Sequence, residues 1–398
     1  MTAKQDRSSK VKGSKASKEE KKGGKSKALT AFSQLLFEWA PPEDLAAYDA
    51  AALDSSARHG YAALESYRKG KSIISVDNGI ERHGRPVSVI TIVNDNMPFL
   101  LDSIMGELND HANQIFMVVH PVLDITQEKD ELVILGEATQ LAPAKGVERV
   151  SLVQIHLPVL DKQARADLTA AIKRVLGQVR SAVSDWKPML KRLDGAIADY
   201  KRVCEMTGDP AMPEAIAFLE WLRDDRFIFL GLRELIFKGK GDKRELVPVK
   251  ETLGILNDNE VRVLRKDDDD TVTPREVTEF LDSNEPLIVT KANSLSLVHR
   301  RSYLDYVGVK IFGEKGEAIG ELRLVGLFTS VAYTSSVAGI PFIRSKAETV
   351  IKHLGFNPED HSGKALINVL EEYPRDELFQ IDVESLTANA ELILALGE

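Results

Sequence analysis

The stretch Val87 to Leu108, VSVITIVNDNMPFLLDSIMGEL, leaves little freedom in local structure. Val87, Val89, Thr91 and Val93 interleave with Ser88, Ile90 and Ile92 in a β-branched run too apolar to have a wet face. Such a run predicts a strand covered on both sides. It stops at Asn94-Asp95-Asn96, whose short side chains accept hydrogen bonds from free backbone N–H groups, and Pro98 suits a first helical turn because no donor is needed there. Leu100, Leu101, Ile104, Met105, Leu108 and His111 then recur at three- and four-residue steps, which predicts a helix folding back onto the strand.

The elbow between the two is the chemically informative part. A helix N-terminus presents unpaired N–H groups and partial positive charge, which suit a carboxylate or phosphate, while the side chains of Asn94, Asp95 and Asn96 suit an ammonium group. Together they would recognise an amino acid, with the amine at Asn94, Asp95 and Asn96 and the carboxylate at the N–H groups near Phe99 and Leu100. The plain alternative is a capped strand-to-helix turn that binds nothing.

A length of 398 residues supports two or three domains, and 43% apolar with 28% charged residues is the composition of soluble globular protein. Charge is unevenly placed. Met1 to Lys27 carries ten Lys/Arg against three acids, so removing its +7 from the chain's −9 leaves −16 for the remainder. An acidic body argues against nucleic acid as a partner, because a phosphate backbone demands a basic face. The Lys-, Ser- and Gly-rich tail has no apolar run for a signal peptide and reads as disordered. No apolar segment approaches the roughly twenty residues of a membrane span. The single Cys204 rules out an intrachain disulfide and every cysteine-pair metal pattern, so the expected compartment is the cytoplasm.

Along the chain, Leu29 to Trp39 and Pro42 to Tyr67 read as amphipathic helices, ended by Gly70. Three strand-like runs follow the organising helix, Gln114 to Leu123, Glu131 to Ala138 and Glu148 to Leu160. A long helix over Ala164 to Val183 comes next, which Pro188 interrupts before Leu190 to Met206 resumes. The order resembles the split βαβ of ferredoxin-like domains, with helices on one sheet face, although no clean final strand is found. Pro210 and Pro213 mark a boundary. Beyond the helix Glu214 to Asp224 the reading gives strands at Phe227 to Phe237, Leu246 to Val249, Leu287 to Lys291, Leu304 to Phe312 and Glu317 to Tyr333, with a helix at Pro274 to Leu281. This five-stranded antiparallel sheet resembles sensor domains of the PAS or GAF type. From Pro341 onward the chain is helical, over Phe342 to Leu354, Gly363 to Tyr373 and Val383 to Leu396, ending as a truncated chain or a natural C-terminal helix would.

Motifs mostly exclude. The only Gly-x-Gly, Gly239 to Gly241, has Arg244 where a third dinucleotide-binding glycine belongs, and Gly24-Lys25-Ser26 lacks the first glycine and the preceding strand of a phosphate loop. There is no Gly-x-Ser-x-Gly and no His-Glu-x-x-His, and no catalytic or metal constellation is expected. Asp267 to Asp270 lacks the alternating spacing and loop glycine of a calcium site. In KANSLSLVHRR, Lys291, His299, Arg300 and Arg301 gather positive charge beside a strand; they would bind a carboxylate or phosphate, or else pair with surrounding acids.

Four long segments, NDNMPFLLDSI from Asn94, FLEWLRDDRFIFLGLREL from Phe218, VTKANSLSLVHRRSYLDYVGVKIF from Val289 and HSGKALINVLEEYPRDELFQI from His361, resemble the large NAD-specific glutamate dehydrogenases of bacteria, in that family's order and from about Pro86 to Ile381. The resemblance implies an α+β chain: a ferredoxin-like, ACT-type βα-sandwich, then a PAS/GAF-like antiparallel sheet domain, then C-terminal helices. The corresponding divisions are a basic tail over 1–28, a helical cap over 29–85, an ACT-like unit over 86–184, connecting helices over 185–213, the PAS/GAF-like unit over 214–335 and a helical segment over 336–398. It further implies a noncatalytic regulatory and assembly region, with NAD bound elsewhere in the parent enzyme and no cofactor here. Expected partners are other domains of the same polypeptide, further copies in a homo-oligomer, and an amino-acid effector. One departure bears on the effector: ligand-binding ACT units carry glycine after the loop proline, and here Phe99 follows Pro98. Its side chain in that space argues for subunit packing.

Overall fold

The computed structural model describes residues 27–111, 114–128, 131–239, 244–264 and 275–397. The basic tail up to residue 26, most of the turn at 239–242, the acidic loop at 267–270 and residue 398 lie outside them. The chain forms two compact units, Met1–Gly177 and Gln178–Glu398.

The first unit opens with helices α1 (27–37), α2 (Pro42–Leu45) and α3 (Ala50–Ser66). Where the sequence reads one helix from Pro42 to Tyr67, the structure breaks it, because Asp49 accepts from the Ala52 N–H and starts α3 afresh. Strands β1 (Ile73–Arg82) and β2 (Arg85–Asp95) follow, then α4 (Leu100–His111), β3 (Met117–Val119), β4 (Val122–Glu128), β5 (Glu131–Glu137), β6 (Glu148–Pro158) and α5 (Lys162–Thr207). The expected strand over Gln114 to Leu123 is two strands, parted at His120-Pro121, since proline has no N–H for the ladder.

The sheet order is β1-β2-β6-β4-β5, with β3 also on β6. Because β2 and β4 each pair antiparallel to β6, they run parallel to each other with β6 between them, which is the split βαβ arrangement. The place beside β2 that a strand after the second helix would occupy is taken by β1, from upstream in the chain. That is why no final strand is found after α5.

Both sheet faces are covered. Val87, Val89, Val93, Val150 and Leu152 share one apolar core with Phe32, Leu36, Ala57 and Leu64 of α1 and α3, so the N-terminal helices lie on one face. The other face carries Ile90, Ile92, Val153, Ile155 and Leu157, fully buried. The apolar stripes of α4 (Leu100, Ile104, Leu108) and early α5 (Leu168, Ile172, Val175) are likewise buried. Strand β2 is thus buried on both faces, as its β-branched run predicts.

The division between units falls inside α5, which is continuous through Pro188. The predicted interruption there does not occur. A mid-helix proline costs about 3 kcal/mol, and the buried run Met189, Leu193, Ile197, Tyr200 and Val203 holds the following turns helical.

The second unit continues with α6 (Met212–Trp221), β7 (Phe227–Lys238), β8 (Glu245–Pro248), β9 (Leu253–Gly254), α7 (Arg275–Asp282), β10 (Leu287–Leu295), β11 (Tyr303–Phe312) and β12 (Ala318–Phe328). Its antiparallel sheet runs β10-β11-β12-β7-β8, so the first strand lies between the last and the second, and β9 pairs with β7. The C-terminal part of α5 and α6 pack on one face with Leu232, Val307, Val309, Leu322 and Leu324. Short α8 (Ser330–Thr334) leads to α9 (Ile343–Leu354), α10 (His361–Glu372), α11 (Arg375–Gln380) and α12 (Val383–Gly397), which enclose their own core of Val350, Leu366, Leu370, Leu378 and Leu386.

Candidate functional site

The elbow forms where β2 leaves the sheet. Asn94 is fully buried; its amide donates to the Asp95 carbonyl at 2.8 Å and its Oδ1 accepts from Ser72 Oγ at 2.6 Å. The Asp95 carboxylate accepts from Tyr67 Oη at 2.5 Å and from the Gly70 N–H at 3.1 Å. Asn96 donates its backbone N–H to the Arg149 carbonyl at 3.0 Å, and its Oδ1 accepts from Ser151 Oγ at 2.8 Å. These three side chains are therefore joined to the α3–β1 connection and to β6. Asn96 is the one of the three exposed to solvent.

Phe99, not Pro98, sets the start of the helix. Its φ of +67° is a left-handed conformation uncommon outside glycine, and its carbonyl accepts from both the N–H and the hydroxyl of Ser103, at 3.0 and 2.5 Å. The helix thus begins at the buried Leu100, and Pro98 stands before the first turn rather than in it. The arrangement is a clasp: a polar junction that fixes where β2 ends and how α4 departs.

The basic segment in the second unit is drawn inward. Lys291 on β10 places its Nζ 2.6 Å from Asp305 on β11 and 3.0 Å from Asp376 on α11. Asp376 also accepts from Tyr333 Oη at 2.9 Å, and Asp305 from the Phe328 N–H at 2.9 Å. Burial pushes the Asp305 carboxyl up while Lys291 opposes the shift; for Lys291, burial works against the charge and the two carboxylates outweigh it, so its pKa is raised. Arg300 donates to the Phe328 carbonyl at 2.7 Å with its guanidinium 5.8 Å from the Tyr333 ring centre, and Arg301 donates to the Ser296 carbonyl at 3.4 Å. His299 turns the loop in a left-handed conformation, φ +69°. The structure brings Lys291 and Arg300 around Asp305, Phe328 and Tyr333 as a lock between the sheet and α11. Sequence reading missed Asp305, Asp376 and Tyr333; a carboxylate inside the apolar run YLDYVGVKIF was the available signal.

Among the described residues no cluster of three or more His, Cys, Asp or Glu is placed to hold a metal, and no helix is long and apolar enough to cross a membrane.

Comparison with known proteins follows the same division. Residues 32–172 match the family model for the glutamate dehydrogenase ACT1 domain, a range that takes in α2, α3 and β1 as well as the elbow. Residues 340–398 match glutamate dehydrogenase helical motif 1, the helices from α9 onward. The chain is 32% identical over 386 residues to the NAD-specific glutamate dehydrogenase of Pseudomonas aeruginosa and 30% over 383 residues to that of Halomonas elongata, covering 93% and 94% of this chain. The enzyme of the same name from Mycobacterium tuberculosis is 21% identical over 319 residues. The chain spans 23% of the length of the Pseudomonas and Halomonas relatives.

Proposed function

The chain belongs to the large NAD-specific glutamate dehydrogenases and corresponds to their N-terminal region, and from that membership we propose that it regulates and assembles an enzyme that oxidatively deaminates L-glutamate to 2-oxoglutarate with NAD. The observation that supports this most is the ACT1 match over 32–172 lying on the β2–elbow–α4 unit. NAD chemistry belongs, on this reading, to other domains of the polypeptide. The strand order of the second unit, first strand central between last and second, supports a PAS-like sensor domain.

In the sensing form of the proposal an amino-acid effector sits at the elbow against Asn96 and the first turn of α4. It acts by binding one arrangement of the enzyme more tightly than another. Calorimetric titration with L-glutamate, L-aspartate and L-arginine, repeated on Asn96→Ala, tests it: heat with one ligand that weakens in the variant is expected. Absence of heat with every ligand from a folded sample overturns sensing at this elbow.

A second reading, assembly without a ligand, is favoured by the engagement of Asn94 and Asp95 with Ser72, Tyr67 and Gly70. It predicts a homo-oligomer by light scattering, unchanged by the same amino acids.

A further inference from the structure

A groove of about 680 Å³ runs between the second half of α5 and the sheet of the second unit. Its helix wall is built from residues at three- and four-residue steps, with the exposed Lys187 and Lys191 followed by the small Gly195 and Ala196. Its sheet wall offers Ile311 and Leu322, together with Glu234, which pairs across the ladder with Leu322 and so shares its face.

The charges in this groove do not balance. Glu234, 8% exposed, is held by Arg192 from the helix and by Lys250 Nζ at 2.8 Å. Asp199 at the far end faces Arg202 at 3.5 Å. Lys310 turns its Nζ away, donating to the Ser283 carbonyl. Lys187 and Lys191 have no acidic partner among the described residues. Counting Lys187, Lys191, Arg192 and Lys250 against Glu234 and Asp199, the concavity carries an excess of two positive charges in a chain whose net charge is −9. A cationic concavity with low-dielectric walls focuses potential and concentrates anions. Its volume lies in the range of small-molecule sites, and its floor of Ala196, Ile311 and Leu322 is apolar.

We propose that this groove binds a small organic dianion with a short apolar body, of the dicarboxylate class, with its carboxylates at the Lys187–Lys191 pair and the Lys250 wall and its methylenes over Ala196 and Leu322. The site is separate from the elbow and does not depend on an amino-acid effector there.

Glutarate is the probe, with inorganic phosphate as a dianion that has no apolar body. Calorimetric titration of the 398-residue chain is expected to give saturable glutarate binding that weakens as salt is raised. The double variant K187E/K191E is expected to weaken it about tenfold or more, two exposed ion contacts each being reversed. Gly195→Leu fills the groove without changing charge and is expected to weaken glutarate similarly. A Cβ there meets nothing within 4 Å, so the helix backbone accepts a side chain at this position, and the melt of the variant checks its fold. Phosphate is expected to bind at least about tenfold more weakly, for want of apolar contact with the floor. The proposal is overturned if glutarate gives no saturable heat, if either variant leaves its affinity unchanged while melting as the parent does, or if phosphate binds as well as glutarate.

Discussion

Mild acid is expected to loosen the first unit through His156. This residue lies near the C-terminal end of β6, fully buried, with its Nε2 3.3 Å from Ser56 Oγ, its Nδ1 without a partner, and the Tyr48 ring edge-on at 5.0 Å between centres. Burial disfavours the imidazolium and brings its pKa down from 6.5 to about 4. The sign follows from proton counting. Between these values the unfolded chain binds a proton that the folded chain does not, so stability is full above pH 6.5 and falls as pH drops toward 4. The loss is about 2 kcal/mol by pH 5 and about 3 kcal/mol over the whole window. In His156→Phe the ring edge against Tyr48 is kept and the titration removed. Urea melts from pH 7.5 to 4.5, with hydrogen exchange at β2 and β6 to localise the opening, should give a variant that loses about 2 kcal/mol less than the parent at pH 5. His120, also lowered by burial, adds a slope of the same sign to both proteins and cancels in the difference. Parallel pH dependences in parent and variant would refute the assignment of the slope to His156.

Three further outcomes follow from local geometry. Gly254 has φ +65° and ψ −145°, and a Cβ there would sit 2.0 Å from the Leu230 carbonyl, so Gly254→Ala should cost about 3 kcal/mol or more in the urea stability of the second unit. Lys346 donates to the carbonyls of Leu378, Phe379 and Ile381 at 2.8 to 2.9 Å, where α11 ends. Lys346→Met should therefore cost about 2 kcal/mol, seen as faster hydrogen exchange over residues 375–382. Tyr67→Phe removes the hydroxyl bond to Asp95 and should destabilise the first unit by about 2 kcal/mol in thermal or urea melts, whereas an elbow whose Asp95 carries no structural duty would show no change.

How far the fold can be read from the sequence depends on where the burial comes from. In the second unit β7, β8 and β11 appear within a residue of where the sequence predicts them, whereas β10 runs on to Leu295, the two-residue β9 is not read, and β12 stops at Phe328 rather than Tyr333 because Thr329 caps α8. Strand β1 escapes because its register shifts between Asp77 and Ile80, which breaks the alternation, and because it is a half-buried edge strand. The available signal was His83-Gly84, both at positive φ, between two runs that pair as a hairpin. Missing β1 removes the strand that completes the sheet beside β2, so one local slip becomes an error of topology. Pro188 misleads in the opposite direction: a local breaking rule is overridden by buried residues on the turns that follow it.

The candidate sites show a sharper limit. A sequence displays hydrogen-bonding and charge capacity but not what engages it. Asn94-Asp95-Asn96 reads as well for an ammonium group as for Ser72, Tyr67, Gly70 and Ser151, because a carboxylate or carboxamide presents the same lone pairs to a ligand as to a neighbouring strand. Lys291 and Arg300 look like an anion site for the same reason, until the fold sets Asp305, Asp376 and the Phe328 carbonyl against them. Conversely, Lys187 and Lys191 are unremarkable in sequence, two lysines on a long helix with acids close by in the chain. What distinguishes them is that the sheet wall opposite offers Glu234 already held by Arg192 and Lys250, so their charge has no internal counterpart among the described residues. Unneutralised charge therefore stands beside an apolar floor at the groove, whereas the elbow, denser in polar residues, has its Asn94 and Asp95 engaged by neighbouring strands and turns.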